Sequence, residues 1–326
     1  MEHLVLGLVL LAGTLATSNP LQDLGPIKKI RLDMAPTSFD DQYQGCSPKM
    51  DKELGKLHHM ELKKNSIYAK YWPLAAAEWQ KKGGHVHKPP GMRAEHAMAL
   101  LAYTRNGSLY QTFNAAVRKA GRSRNQYLYK FHFKTLHFLL TQALKILRNA
   151  QPKCYNVYRG NRNIHFTAKP HDLVRFGQFA STSFWKETAK KFGQDTFFSV
   201  YTCHGFPIKN FSFFPKVNEV LIPPYERFEV TNITKHGKTT HIQLRAKGTY
   251  SKYNCEWVKG KRCQDQLCGF NAGEPGVPAA NRERDPWPGP PSLPITHLIS
   301  DPPQAGPSSG TSLILAATDL AVAGRP

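Results

Sequence analysis

Glu219 opens the run Glu-Val-Leu-Ile-Pro-Pro, and a carboxylate there can do chemistry that a surface glutamate cannot. If the run forms a buried strand, the side chain is held at one place on a cleft wall. A carboxylate fixed beside a sugar stabilises the positive charge that develops when a leaving group departs before the acceptor has bonded. Arg159 follows the strand-like segment Asn156-Val157-Tyr158, and its guanidinium can chelate a phosphate through two parallel donors. Ser181 heads the triplet Ser181-Thr182-Ser183 at the end of the segment 178–180. No histidine neighbours it in sequence, so nothing points to a nucleophile of the Ser-His-Asp kind. Taken singly, these are an ordinary strand-start glutamate, a surface arginine and a Ser-Thr-Ser turn.

Their order and spacing make them informative together. Tyr158-Arg159-Gly160, Phe179-Ala180-Ser181-Thr182-Ser183, Phe211 to Lys216 and Glu219 to Glu226 resemble the Arg, Ser-Thr-Ser and Glu-x-Glu signature of the ecto-ADP-ribosyltransferases. The resemblance extends over roughly Ile30 to Val258. It implies an α+β fold in which a helical N-terminal half packs on a strand-rich C-terminal half around an NAD cleft. It also implies NAD as a substrate and not as a prosthetic group, cleaved at the nicotinamide–ribose bond, with ADP-ribose passed to arginine of acceptor proteins. NAD glycohydrolase activity would accompany the transfer. Arg159, Ser181 and Glu219 become the catalytic set, and Tyr103, Arg159, Gln178 and Ser212 the NAD contacts, although Tyr103 and Phe213 read equally well as core aromatics. By the same resemblance Cys46 pairs with Cys255 and Cys154 with Cys203, leaving Cys263 and Cys268 outside that framework.

One position departs from the pattern. Active arginine-specific members carry an acidic or amide residue two places before the glutamate, and this chain has Val217. Strand alternation would put Val217 on the side of Glu219 and Asn218 on the other. Valine can neither accept nor donate a hydrogen bond to an incoming guanidinium. Two readings compete with arginine transfer: a catalytically lapsed surface or secreted recognition protein that keeps the fold, and a basic glycan-binding or defence protein suggested by charge and by Lys130-Phe131-His132-Phe133-Lys134.

The elements that must position these residues follow from periodicity. Asp40 to Cys46 reads as an extended entry. Ser66 can cap a helix toward Lys82, which Pro73 should end or kink. Helical spacing recurs at Arg93 to Tyr103 and Leu109 to Ala120, punctuated by Gly107 and Gly121, and is strongest from Tyr129 to Leu147. Beyond Pro152 come strand-like runs at 154–158, 164–166, 178–182, 197–203, 219–222, 228–232 and 241–246, with a helix at Lys186 to Phe192 between them. Helices first and strands second argue for an α+β domain. No Gly-x-Gly-x-x-Gly supports a Rossmann site.

The apolar run Leu4 to Leu15 followed by Ala16-Thr17-Ser18 reads as a signal peptide over residues 1–18, which makes a secreted or cell-surface product. The transferase domain is then assigned to 19–270, and the Pro-, Gly- and Ser-rich residues 271–326 to a disordered tail. A lipid-anchor signal at Thr311 to Gly324 is weakened by Asp319 and Arg325. Export makes the six cysteines disulfide partners, with fifteen pairings open from sequence alone, and makes Asn106, Asn210 and Asn232 candidate glycan acceptors. No Cys-x-x-Cys pair supports zinc, and no metal site is expected. The 44 Lys and Arg against 23 Asp and Glu leave a charge of +21, concentrated ahead of residue 273. Such a surface attracts anionic partners, NAD and surface glycans among them; no nucleic-acid partner is expected, and a monomer is.

Overall fold

The computed structural model describes residues 27–259. The signal segment 1–18, the tail 271–326, Cys263 and Cys268 lie outside the described residues. Strand β1 (Lys28–Arg31) precedes five α-helices: α1 (Ser47–Lys64), α2 (Ser66–Lys82), α3 (Ala94–Thr104), α4 (Leu109–Ala120) and α5 (Lys134–Ala150). The strand-rich half follows with β2 (Tyr155–Asn161), β3 (Ile164–Thr167), β4 (Leu173–Val174), β5 (Ala180–Ser183), the short helix α6 (Lys186–Lys190), β6 (Thr196–Thr202), β7 (Phe206–Pro207), β8 (Glu219–Ile222), β9 (Glu226–His236) and β10 (Thr239–Thr249). β1 pairs with β3, and the other eight strands form one sheet in the order β4-β9-β10-β6-β2-β5-β8-β7. The α+β arrangement is as expected.

Two cores divide the molecule. Leu54, Leu100, Phe113, Leu140 and Leu144 of the helices meet Phe179, just before β5, and Leu221 of β8 in the first. Val157, Val200, Val220, Phe228 and Leu244 fill the second, on the other side of the sheet. The helical half therefore packs mainly on the β5–β8 end, where the candidate residues lie.

Several elements differ from the sequence reading. Helix α1 was not anticipated; its stripe of Met50, Leu54, Leu57 and Glu61 is buried on an otherwise polar helix. Helix α2 starts from Asn65, whose side chain accepts the Tyr68 amide, and not from a Ser66 cap. It runs through Pro73 without ending. Six buried side chains of α2, among them Trp72 and Trp79, outweigh the hydrogen bond that proline cannot donate. The predicted helix from Tyr129 instead comprises a π-turn at Gln126–Lys130, a non-helical link at 131–133 and α5 from Lys134. Lys130 to Lys134 thus spans the end of the π-turn, the link and the first residue of α5. The start of α5 is set by Glu61, whose carboxylate accepts the amides of Lys134 at 2.7 Å and Thr135 at 2.9 Å. These are orphan donors of a helix N-terminus, and their partner lies 73 residues upstream, beyond any local pattern.

The entry segment is a fastening point. Arg175, buried, donates to the Asp40 carboxylate at 2.6 Å and to the carbonyls of Met34 and Tyr250 at 2.9 and 3.0 Å. Asp40 also accepts the Lys252 and Tyr253 amides, and Asp41 those of Tyr43, Cys255 and Glu256. Both implied disulfides are present: Cys46–Cys255 joins the two ends of the domain, and Cys154–Cys203 ties the residue before β2 to the residue after β6. Replacing Asp40 with alanine strands a buried guanidinium and releases both end segments. The expected loss is about 3–5 kcal/mol, read as a shift of the denaturant midpoint.

Candidate active site

The three residues singled out by type come from adjacent strands. Arg159 is on β2, Ser181 on β5 and Glu219 is the first residue of β8. Arg159 lies within its strand, and not beyond the strand end as expected, because β2 continues to Asn161; Ser181 lies within β5, whose start at Ala180 is two residues later than expected. β5 and β8 pair over four residues, with Ser183 opposite Glu219. β2 and β5 pair only at Tyr158 and Ser183, so the sheet splits there. Across the split the Arg159 Nη1 donates to the Ser181 carbonyl at 2.7 Å, and Arg159, Ser181 and Glu219 line one hollow with Tyr158, Val217 and Phe192. Gly160 permits this geometry: a Cβ there would come within 2.2 Å of the Gly193 carbonyl and 2.4 Å of that of Ala189, pushing α6 away from β2.

Glu219 is only 2% exposed. Burial raises its pKa to about 7, against the opposing pull of the Ser181 hydroxyl, which hydrogen-bonds the carboxylate, and of the Arg159 charge. Arg159 feels the converse effect: desolvation lowers its pKa, while Tyr103, Tyr110 and Glu219 favour the charged form. The site is therefore a carboxylate poised near neutrality, one serine hydroxyl and one guanidinium, held at a split in the sheet.

The remaining predicted residues take two kinds of place. Tyr103 is buried; its hydroxyl donates to the Phe179 carbonyl at 2.9 Å, accepts from Asn114 Nδ2 at 3.0 Å and is hydrogen-bonded to Ser181. Burial pushes its pKa up to about 12, so it stays a neutral phenol. Gln178 accepts from Arg118 and borders two hollows together with Arg159. Ser212 is buried, its Oγ accepting the Phe214 amide at 3.0 Å and its carbonyl accepting Lys82 Nζ, and it is not on the wall around Glu219. Phe213 is half-buried, with Lys82 and Arg105 within 5.5 Å of its ring centroid. The three sequon asparagines, Asn106, Asn210 and Asn232, are all exposed.

Val217 is not on a strand with Glu219. It ends a 3-10 turn over Pro215–Val217, and Asn218 follows in the left-handed region at φ 51°. Alternation therefore does not operate; the turn itself brings Val217, 6% exposed, onto the same wall as Glu219. Asn218 lines a separate cavity of about 510 Å³ with His87, Phe206 and Asn210. Sequence reasoning missed what holds this turn. The Ser183 hydroxyl donates to the Val217 carbonyl at 2.8 Å and the Thr182 hydroxyl to that of Val220 at 2.7 Å. All three hydroxyls of the triplet thus fasten the glutamate and its approach. The triplet was visible in sequence, but its roles need the β5–β8 register.

The match to known proteins is broad. Residues 32–252 match the family described as NAD:arginine ADP-ribosyltransferase. This chain belongs to that family. It is 49% identical over 299 residues to the erythroblast NAD(P)(+)–arginine ADP-ribosyltransferase of Gallus gallus, covering 90% of this chain and 98% of the relative. To the GPI-linked NAD(P)(+)–arginine ADP-ribosyltransferase 1 of Homo sapiens it is 46% identical over 285 residues, covering 82% and 87%. Among solved structures, a mutant of the eukaryotic mono-ADP-ribosyltransferase ART2.2 in complex with NAD superposes with a TM-score of 0.61 at 38% identity, covering 69% of this chain and 98% of that one.

The raised carboxyl has a thermodynamic signature. Its folded pKa of about 7 lies above the ordinary 4.5, so the folded protein binds the extra proton between those values and loses stability as pH rises through the window. Glu219→Gln removes that loss. The variant should match wild type near pH 4.5 and gain up to about 3 kcal/mol over it above pH 8, measured by denaturant unfolding across pH.

Proposed function

We propose that the protein is a secreted or cell-surface mono-ADP-ribosyltransferase that cleaves NAD at the nicotinamide–ribose bond and transfers ADP-ribose to arginine of acceptor proteins. The observation that carries this reading is the convergence of Arg159, Ser181 and buried Glu219 at one split in the sheet. The relatives named as arginine ADP-ribosyltransferases, GPI-linked in one case, support both the activity and the location. Among the described residues no helix is long and apolar enough to cross a membrane.

In this reading the bond from the ribose anomeric carbon to the nicotinamide nitrogen breaks with its electron pair leaving on nicotinamide. The ionised Glu219 stabilises the oxocarbenium charge left on the sugar. Arg159 supplies a guanidinium for a phosphate of NAD, and Ser181 keeps the Glu219 carboxylate oriented and Arg159 docked through its carbonyl. Tyr103 positions the β5 strand through the Phe179 carbonyl and the Ser181 hydroxyl, and Gln178, beside Arg159, completes the NAD-binding set together with Ser212, which acts through the loop it holds by accepting the Phe214 amide. The guanidino nitrogen of the acceptor then bonds to the anomeric carbon and gives up a proton. NAD is consumed as a substrate, the exposed sequon asparagines carry glycans, and the protein acts as a monomer.

Val217 favours a second activity on the same site. With an apolar side chain beside Glu219, the incoming guanidinium has one hydrogen-bond partner fewer, and water competes better as acceptor. NAD glycohydrolase activity accordingly accompanies transfer. A catalytically lapsed protein finds no support: it requires no assembled Arg, Ser and Glu set, and relatives of this similarity are named as transferases.

Labelled NAD, supplied with and without a small guanidine acceptor, tests the reading. Wild type should release nicotinamide and label the acceptor, and Glu219→Gln should lower both by 100-fold or more. Absence of both products from wild type contradicts the proposal. Because the ionised carboxylate is the working form, kcat/KM for NAD should rise with pH through about 7 and level off above pH 8. Val217→Glu should raise acceptor labelling relative to nicotinamide release severalfold. An unchanged ratio in a folded, NAD-binding variant would show that this side chain does not govern acceptor choice.

A further inference from the structure

The sheet face that carries Tyr158 continues past the cleft. Tyr158 is opposite Ser199 on β6, Ser199 opposite Gln243 on β10, and in the next row Asn156, Tyr201 and Arg245 are aligned in the same way. Directly opposed residues project from one face of a sheet. Their neighbours Val157, Val200 and Leu244 point the other way, into the second core. On the first face Asn156 and Arg245 are exposed and the other four are half-buried. A polar and aromatic shelf therefore leads from the wall of the hollow at Glu219, which Tyr158 lines, outward over β6 and β10.

Two properties of the shelf indicate what it fits. Its aromatic groups are already ordered, Tyr158 stacked on Phe197 at 6.1 Å between centroids and the Arg245 guanidinium 5.2 Å from the Tyr201 ring. Tyrosine and arginine held this way carry much of the binding energy at protein interfaces. Its charge is positive. The carboxylate opposite Arg245 is Glu229, which already binds Lys247 at 2.8 Å and His171 at 2.9 Å, and Arg245 is in no ion pair among the described residues.

We propose that this shelf docks the acceptor protein and selects segments with carboxylates about four residues from the target arginine. The inference rests on the transferase reading and adds the substrate class to it. Arg245 lies two strands from β2 and two residues along from Tyr158. At about 4.8 Å per strand and 3.3 Å per residue that is roughly 12 Å from the cleft wall. An extended peptide covers that distance in about four residues. The shelf thus steers carboxylates to Arg245 while the target arginine, its backbone at the Tyr158 wall, extends its side chain across β5 toward Glu219.

The test uses the full secreted chain and two arginine peptides, one with glutamates four residues on either side of the arginine and one with glutamines there. Binding is followed by fluorescence anisotropy without turnover, and labelling from NAD is measured in parallel with a small guanidine as third acceptor. The glutamate peptide should bind about fivefold or more tightly than its glutamine counterpart, and Arg245→Glu should abolish or reverse the preference without changing nicotinamide release or small-guanidine labelling. Tyr201→Ala should weaken both peptides. Equal binding of the two peptides to wild type, or a preference that survives in folded Arg245→Glu, overturns the proposal. Loss of heparin retention in that variant with the peptide preference intact also overturns it and makes the shelf a glycan site. Because binding is read separately, a failure of transfer chemistry would appear as normal peptide discrimination without labelling of any acceptor.

Discussion

Taking a carboxylate out of water is costly, and an isolated buried one protonates instead of remaining charged. Glu219 is held at the balance point between those outcomes. Burial raises its pKa to about 7, while Ser181 and Arg159 keep the ionised form within reach. Much of the strand-rich half can be understood as sustaining that arrangement. The parting of β2 from β5 after one residue pair lets the Arg159 guanidinium reach a strand carbonyl, and the absence of a side chain at Gly160 lets α6 close over the same edge. Tyr103 and Asn114 brace β5 from the helical side.

The site also depends on how the chain ends are tied. Arg175 and Asp40 join the entry segment, the approach to β5 and the segment after β10 around one buried ion pair. A buried pair of this kind adds little net stability against a well-packed apolar alternative, but breaking it on one side is severe. Its value here is positional: Gln178, Phe179 and Ser181 follow Arg175 closely in sequence. Cys46–Cys255 reinforces the same closure, and Cys154–Cys203 braces the strand that carries Arg159.

Much of this was legible in the sequence, for identifiable reasons. Leu109 to Ala120 and Glu219 to Ile222 have the bounds expected from their spacing, because local pattern and tertiary burial agree there. Arg159, Ser181 and Glu219 could be named because their types and order are distinctive. What escaped was non-local. The start of α5 is fixed by Glu61 from another helix, and α2 continues through Pro73 because its aromatic face is buried. The hydroxyls of Thr182 and Ser183 acquire their roles only when β5 and β8 align. Val217 was assigned to the correct wall for the wrong reason: a left-handed Asn218, and not strand alternation, brings it to Glu219.

The site stands or falls on Glu219 being a buried carboxylate held near neutrality by Ser181 and Arg159. The most direct measurement is the pH titration of its side-chain carboxyl carbon by NMR in the ligand-free protein, assigned with Glu219→Gln. The predicted midpoint is about 7, moving upward in Ser181→Ala as the hydrogen bond to the ionised form is lost. A midpoint at the ordinary value of 4.5, unchanged in Ser181→Ala, would contradict it.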